Sequence, residues 1–235
     1  MFQKLLIGIL TLTLAVITPM VVLDHTRVAT ELQTLKDSSY LSYLEITKLK
    51  AQIEFSQIRG ATRLLSIANM GNGSGVMIAP RRMLTAAHVA RIDNDNAPLL
   101  LNGKRVKILK MDEELDLALL EVEEDCPCVP VGKELPKPDS IAYIVGFPVY
   151  REGMPQFVTE GKIQGFWPET RRILTNILAA PGNSGGGLFV YNNGTWELSG
   201  ILVAVSAIGG FFNMMPVYHV SHSVDTNSIN KFLNE

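Results

Sequence analysis

Glycine and proline are partitioned in this chain in a way that fixes where it can be helical and where it must turn. Neither occurs from Val21 to Arg59, whereas all but one of the 19 glycines and all but one of the 12 prolines fall from Gly60 onward. A segment free of both keeps the φ range and the backbone donors that a helix needs, and a segment dense in both is cut into short elements by sharp turns. With 235 residues, 47% of them hydrophobic, the chain is long enough for a two-lobed core plus an appendage, and disorder is excluded for most of it.

Within the first segment, Val28, Leu32, Leu35, Ile46, Leu49 and Ile53 follow a 4-3 spacing, with Ser39 and Ser42 at the two seam positions between them. The pattern predicts one long helix over residues 28–64. Two readings of it stand: a self-association stalk making a homo-oligomer through residues 28–59, or an amphipathic helix lying against the following domain. Ahead of it, Leu5 to Leu23 run for nineteen positions without a charge. At ~1.5 Å per residue that spans roughly 28 Å of hydrocarbon. No A-x-A pattern follows, so residues 1–27 are expected to be an uncleaved transmembrane anchor, with the membrane as a partner. Lys4 before the span, against Asp24, His25 and Arg27 after it, places the rest of the chain outside the cytoplasm.

From Leu65 onward, short apolar runs split by turn residues predict an all-β barrel or sandwich over 65–235. Asn72-Gly73, Asn102-Gly103 and Asn193-Gly194 mark three tight hairpins. The first and third also fit the glycosylation pattern, but the turn reading accounts for them. The stretch SVDTNSINKFLN predicts a C-terminal helix behind a Ser or Asp cap. Twenty-one basic against 23 acidic residues leave a net charge of -2, so no basic field is available to hold nucleic acid. The two cysteines, Cys126 and Cys128, exclude a disulfide-stapled scaffold and a four-cysteine zinc module. A disulfide across one residue is strained, so they are expected as loop thiols, and they lack the further ligands of a metal site.

The segment PGNSGGG, Pro181 to Gly187, places one serine among glycines between two strand-like runs. Such a loop can turn successive N–H groups inward, as a hydroxyl nucleophile requires, because attack on a carbonyl creates an oxyanion that needs preorganised donors. Ser184 supplies the hydroxyl, and Gly182 and Ser184 the N–H groups. A base is offered at LTAAHVA, where His88 follows a strand-like run between small residues. Asp116 interrupts the apolar run Leu115 to Leu120 on what reads as a central strand, where a carboxylate is costly unless paired. His25 abuts the apolar span, and His219 and His222 flank an expected turn before the final helix. The order His88, Asp116, Ser184 is the order that distinguishes one convergent triad from the others.

On these residues the sequence resembles the chymotrypsin-like serine proteases, and within them the HtrA/Deg branch. The shared text is G-S-G-V at Gly73 to Val76, T-A-A-H-V at Thr85 to Val89, D-L-A-L-L at Asp116 to Leu120, V-T-E-G at Val158 to Gly161, and P-G-N-S-G-G at Pro181 to Gly186. The resemblance covers roughly residues 70 to 233. It implies two packed antiparallel six-stranded barrels with a His88-Asp116-Ser184 triad in the cleft, an oxyanion hole at Gly182 and Ser184, a polypeptide substrate, and no metal or organic cofactor. Asn183 stands where the digestive branch has an aspartate, so activation by an ion pair to a new N-terminus is not implied. Gly187 and Ala180 replace a frequent proline and asparagine, and the chain after Ser184 is too short for a PDZ module. By the same resemblance the primary pocket is walled by Asn176 to Ala180 and Ile201 to Val205, all apolar but the first, which predicts a medium-sized aliphatic residue before the cut. The alternatives to an enzyme are a catalytically silent protease-like binding module and an envelope scaffold in which the anchored helix is the working part.

Overall fold

The alternation of short apolar runs and turns produces strands that pair with near neighbours in sequence. The computed structural model describes residues 30–43, 55–67, 71–94, 97–125, 127–148, 155–210 and 213–235, without the side chains of 207–219. It divides into two units, Met1–Ile53 and Glu54–Glu235. In the first, residues 30–43 are helical, with Leu32, Leu35, Leu41 and Tyr43 exposed. The anchor segment Leu5 to Leu23 lies outside the described residues, as do residues 28–29 and 44–54 of the expected long helix. Among the described residues, no helix is long and apolar enough to cross a membrane.

The second unit begins at Glu54, ahead of the boundary expected at 65. Residues 55–61 form a helix whose Ile58 and Ala61 are fully buried in the core, and it runs directly into β1, Thr62–Ile67. The first glycine marks where turning becomes possible; the core starts earlier, at the first apolar side chain that packs on the sheet.

Seven strands make the first sheet: β1, β2 (Gly71–Ala79), β3 (Arg82–Thr85), β4 (Leu99–Leu101), β5 (Lys104–Arg105), β6 (Lys107–Asp112) and β7 (Leu117–Glu121). Their order is β5-β4-β1-β2-β3-β7-β6. The two edges, β5 and β6, are separated in the chain only by Val106, which is buried and donates its N–H to Leu99 O at 3.1 Å. The sheet therefore rolls up on one bent run, Lys104 to Asp112, that pairs with β4 at one end and β7 at the other. The first sheet is thus a seven-stranded half-barrel rather than the closed six-stranded barrel that the resemblance implies, because its edges meet through a bend and not by a ladder.

The second sheet is a closed barrel in the order β10-β13-β12-β11-β8-β9, from β8 (Ile141–Gly146), β9 (Phe157–Trp167), β10 (Arg172–Thr175), β11 (Gly187–Asn192), β12 (Thr195–Gly210) and β13 (Asn213–Asp225). Asn102-Gly103 and Asn193-Gly194 are hairpin turns with positive φ at both positions, as expected. Asn72-Gly73 is not a turn: it lies inside β2, paired with Ser66 and Leu65. Gly73 is needed there because a Cβ would come within 2.5 Å of Val89 Cγ1.

Successive residues of the connecting segment tie the barrels together, with Val129 N donating to Met77 O at 3.1 Å and Pro130 O accepting from Leu198 N at 2.9 Å. One apolar core runs from Leu65 and Leu84 of the first barrel to Phe189, Leu198 and Ile201 of the second. The C-terminal helix, Thr226–Asn234, is capped by Asp225, which accepts from Ser228 N at 3.0 Å, and buries Ile229 and Phe232 in the same core. Cys128 is disulfide-bonded rather than a thiol, a correction to the expectation; Cys126 lies outside the described residues.

Candidate active site

His88 sits in a helical turn, Ala87–Ala90, directly after β3. The other residues of the turn, Ala87, Val89 and Ala90, are buried, so the imidazole is the side chain of the turn left half-exposed. Its Nδ1 lies 2.8 Å from Asp116 Oδ2, and its backbone N–H donates to Asp116 Oδ1, also at 2.8 Å. A carboxylate offers only acceptors, so Nδ1 carries the proton and Nε2 is left as an acceptor.

Asp116 is not within a central strand, as the apolar run implied. It ends the tight turn before β7 with φ at 59°, in the left-handed region that a non-glycine residue occupies only when its surroundings hold it there. The two bonds to His88 are such surroundings.

Ser184 lies in the turn between the apolar segment 176–180 and β11. Gly182 and Gly185 have φ of 96° and 83°, which lets the backbone reverse twice within four residues. The carbonyls from Gly182 to Ser184 are all engaged: Gly182 O accepts from Ser74 Oγ at 2.8 Å, Asn183 O from Gly186 N at 2.8 Å, and Ser184 O from Ser74 N at 2.8 Å. Among the described residues, the N–H groups of Gly182 and Ser184 have no partner. The loop packs on the first barrel so closely that a Cβ on Gly185 would fall 2.1 Å from Ser74 O, 2.2 Å from Thr85 Oγ1 and 3.0 Å from Ala86 N, two residues from His88. The structure thus brings the serine loop onto the strand that carries the histidine. Among the described residues, Ser184 Oγ and His88 Nε2 make no hydrogen bond.

Residues 73–201, more than half the chain, match the trypsin-like peptidase domain. The chain belongs to that family. A mitochondrial protein of Arabidopsis thaliana, named as the protease Do-like 12, is 32% identical over 133 residues, covering 48% of this chain and 26% of that relative. The chain thus spans about a quarter of the length of the curated relative it matches. Among solved structures, the Rv3671c protease of M. tuberculosis H37Rv in an inactive form is similar over 76% of this chain and 87% of that one, at 17% identity and a TM-score of 0.58. An HtrA-type protease, an AlgW variant with a tripeptide, covers 76% of this chain and 60% of its own at 23% identity and a TM-score of 0.57. These two likenesses carry the chymotrypsin-like fold.

In this peptidase domain, the residues expected to wall the primary pocket divide. Ile177, Ala179 and Leu202 are buried in the core of the second barrel, while Leu178 and Ala204 are exposed. A groove of about 720 Å³ lies elsewhere, over Tyr143, Tyr191 and Trp196, and none of His88, Asp116 or Ser184 lines it.

Sequence reasoning missed a charged pair of residues beside Asp116. Arg171 closes the β9–β10 turn and binds Glu114 of the Asp116 turn at 2.6 Å. Arg172 follows it with its guanidinium half-buried; burial pushes its pKa down, while the carboxylates of Asp116 and Asp225 pull it up. His222 lies in β13 rather than at a turn, with Nε2 at 2.7 Å from Ser206 Oγ. Burial, and then the Arg172 charge, push its pKa below the ordinary histidine value. Two adjacent arginines in a hairpin are the signal that was available.

Proposed function

We propose that the chain is a serine endopeptidase that hydrolyses polypeptides through Ser184, His88 and Asp116. The observation that carries this reading is the double attachment of His88 to Asp116, made in a turn on whose strand the Ser184 loop packs at Gly185. Ser184 Oγ attacks the scissile carbonyl as His88 Nε2 takes its proton; Asp116 holds the ring in the tautomer that makes this possible and stabilises the imidazolium. The free N–H groups of Gly182 and Ser184 meet the oxyanion. The imidazolium then protonates the leaving amine, and water, deprotonated by the same ring, releases the acyl group. Catalytic hydrogen bonds are often long in an unliganded site and tighten with substrate, so the missing Ser184–His88 bond is compatible with this role.

The finer features follow the sequence. The uncharged run Leu5 to Leu23 supports an anchor with the protease outside the cytoplasm, and the apolar text at Ile177 to Ala180 and Ile201 to Val205 supports an aliphatic primary preference. The exposed Leu32 and Leu35 support self-association through the part of residues 28–59 that lies ahead of the helix 55–61. A fluorophosphonate probe tests the central claim: it labels Ser184, and labelling vanishes in Ser184→Ala, whose turnover falls by roughly 10⁶ and is not lowered further by adding His88→Ala. A folded chain that does not react would instead be a binding module or scaffold.

A further inference from the structure

Ser74 is fully buried in β2 of the first barrel, yet four of its hydrogen bonds bear on the catalytic elements or on the second barrel. Its hydroxyl donates to Gly182 O at 2.8 Å and accepts from Phe147 N at 3.0 Å. Its N–H donates to Ser184 O at 2.8 Å, and its carbonyl accepts from Thr85 Oγ1 at 2.7 Å. Two positions back on the same face of the strand, Asn72 Nδ2 donates to Phe147 O at 2.7 Å, so both polar groups of the Phe147 backbone are held by β2. The hydroxyl is closed in on the Gly146 side, where even a Cβ would come within 3.1 Å of Ser74 Oγ and 2.7 Å of Asn183 Oδ1.

A hydroxyl buried without partners is costly, and this one is satisfied on both its donor and acceptor sides by groups of the other barrel. Two of the three loop carbonyls from Gly182 to Ser184 are therefore turned away from the cleft by a single residue of the first barrel. Those two carbonyls belong to the Gly182–Asn183 and Ser184–Gly185 peptide units, which flank the Asn183–Ser184 unit on both sides and the Pro181–Gly182 unit on one, so holding them limits how the units that carry the Ser184 and Gly182 N–H groups can turn. Through Thr85, three residues before His88, the same residue is tied to the turn that carries the base.

We propose that Ser74 is a positioning residue: it sets the orientation of the Gly182–Ser184 backbone against His88, so that the oxyanion donors exist only while the two barrels are joined at this point. This rests on the triad reading above. The serine acts through the loop and never touches substrate.

The test compares the full chain with Ser74→Ala, and with Thr85→Val should Ser74→Ala fail to fold. The expected result is a fall in kcat of about 10- to 100-fold, the scale of a misplacement near 1 Å, with KM within roughly twofold. A peptide boronate, which copies the tetrahedral oxyanion, loses affinity by the same factor, while the unreactive product peptide binds as before; a merely structural role would lower both together. Equal kcat and equal boronate affinity in a folded Ser74→Ala protein overturn the proposal. Failure of the triad reading is seen separately, as absence of fluorophosphonate labelling at Ser184 in the unaltered chain.

Discussion

The two halves of the site are built from different materials. In the first barrel, His88 and Asp116 are fixed by side-chain atoms: one carboxylate grips the ring and the backbone of the histidine. In the second, Ser184 is fixed by its main chain, with glycines at φ of 96° and 83° on either side and the carbonyls from Gly182 to Ser184 all engaged. The first half should therefore fail when an atom changes its chemistry, and the second when a carbon is added where the backbone has no room.

The most severe break on the first side is Asp116→Asn, which keeps the shape and reverses the donor pattern at Nδ1. A loss of about 10⁴ in kcat with an unchanged melting curve is expected, since the ring then settles in the wrong tautomer. A loss below tenfold would show that the carboxylate is dispensable. On the second side, Gly185→Ala adds a methyl group 2.1 Å from Ser74 O at a positive φ. A fall of about 10² in kcat together with a lower melting temperature is expected, because loop and strand must move apart. Unaltered kinetics would mean that the loop is not held by its backbone.

The comparison is sharpened by asking what the barrels need from upstream. A chain beginning at Glu54 keeps Ile58 and Ala61 in the core and should fold and cleave small peptides. One beginning at Thr62 loses fully buried Ile58, and a core truncation of that kind costs about 2–5 kcal/mol, readable as a lower melting temperature. Equal melting of the two would place the helix 55–61 outside the fold. The smallest effect concerns His222, whose folded pKa lies below its ordinary 6.5. Its neutral form is compatible with burial beside Arg172, so stability is fully present above pH ~6.5 and declines as the pH falls toward the folded value. His222→Gln should flatten that part of the melting temperature against pH, and an unchanged slope would remove His222 as its source.

What could be read from the sequence was whatever depends on neighbours in the chain. Asn102-Gly103 and Asn193-Gly194 fold as hairpins because both residues of the dipeptide accept positive φ, and Asp225 caps the last helix because Ser228 lies three residues on. Asn72-Gly73 carries the same signal and was misread, because its glycine answers a demand made by Val89 rather than by a turn. The domain boundary moved for a similar reason: Ile58 belongs to a core whose other members come later in the chain. Asp116 was located on a strand because its apolar neighbours are, and its left-handed φ is imposed by His88, 28 residues away. Ser74 was not legible, since the groups its hydroxyl faces are brought by the other barrel.

That separation has a consequence for the chain while it is still being made. Ser74 and Gly182 are 108 residues apart, whereas the first sheet is complete by Glu121. During synthesis the first barrel can close, and present His88 to Asp116, before Ser184 has been made. The serine loop obtains partners for two of its carbonyls only when the second barrel docks, so Ser184 is the last of the three residues proposed for catalysis to be placed. On the proposed triad, a nascent or half-folded chain would then be inert toward its surroundings, including other copies of itself. Contacts of such long range are also among the slowest to form, and a small parting of the barrels would silence the protein while both sheets remained intact.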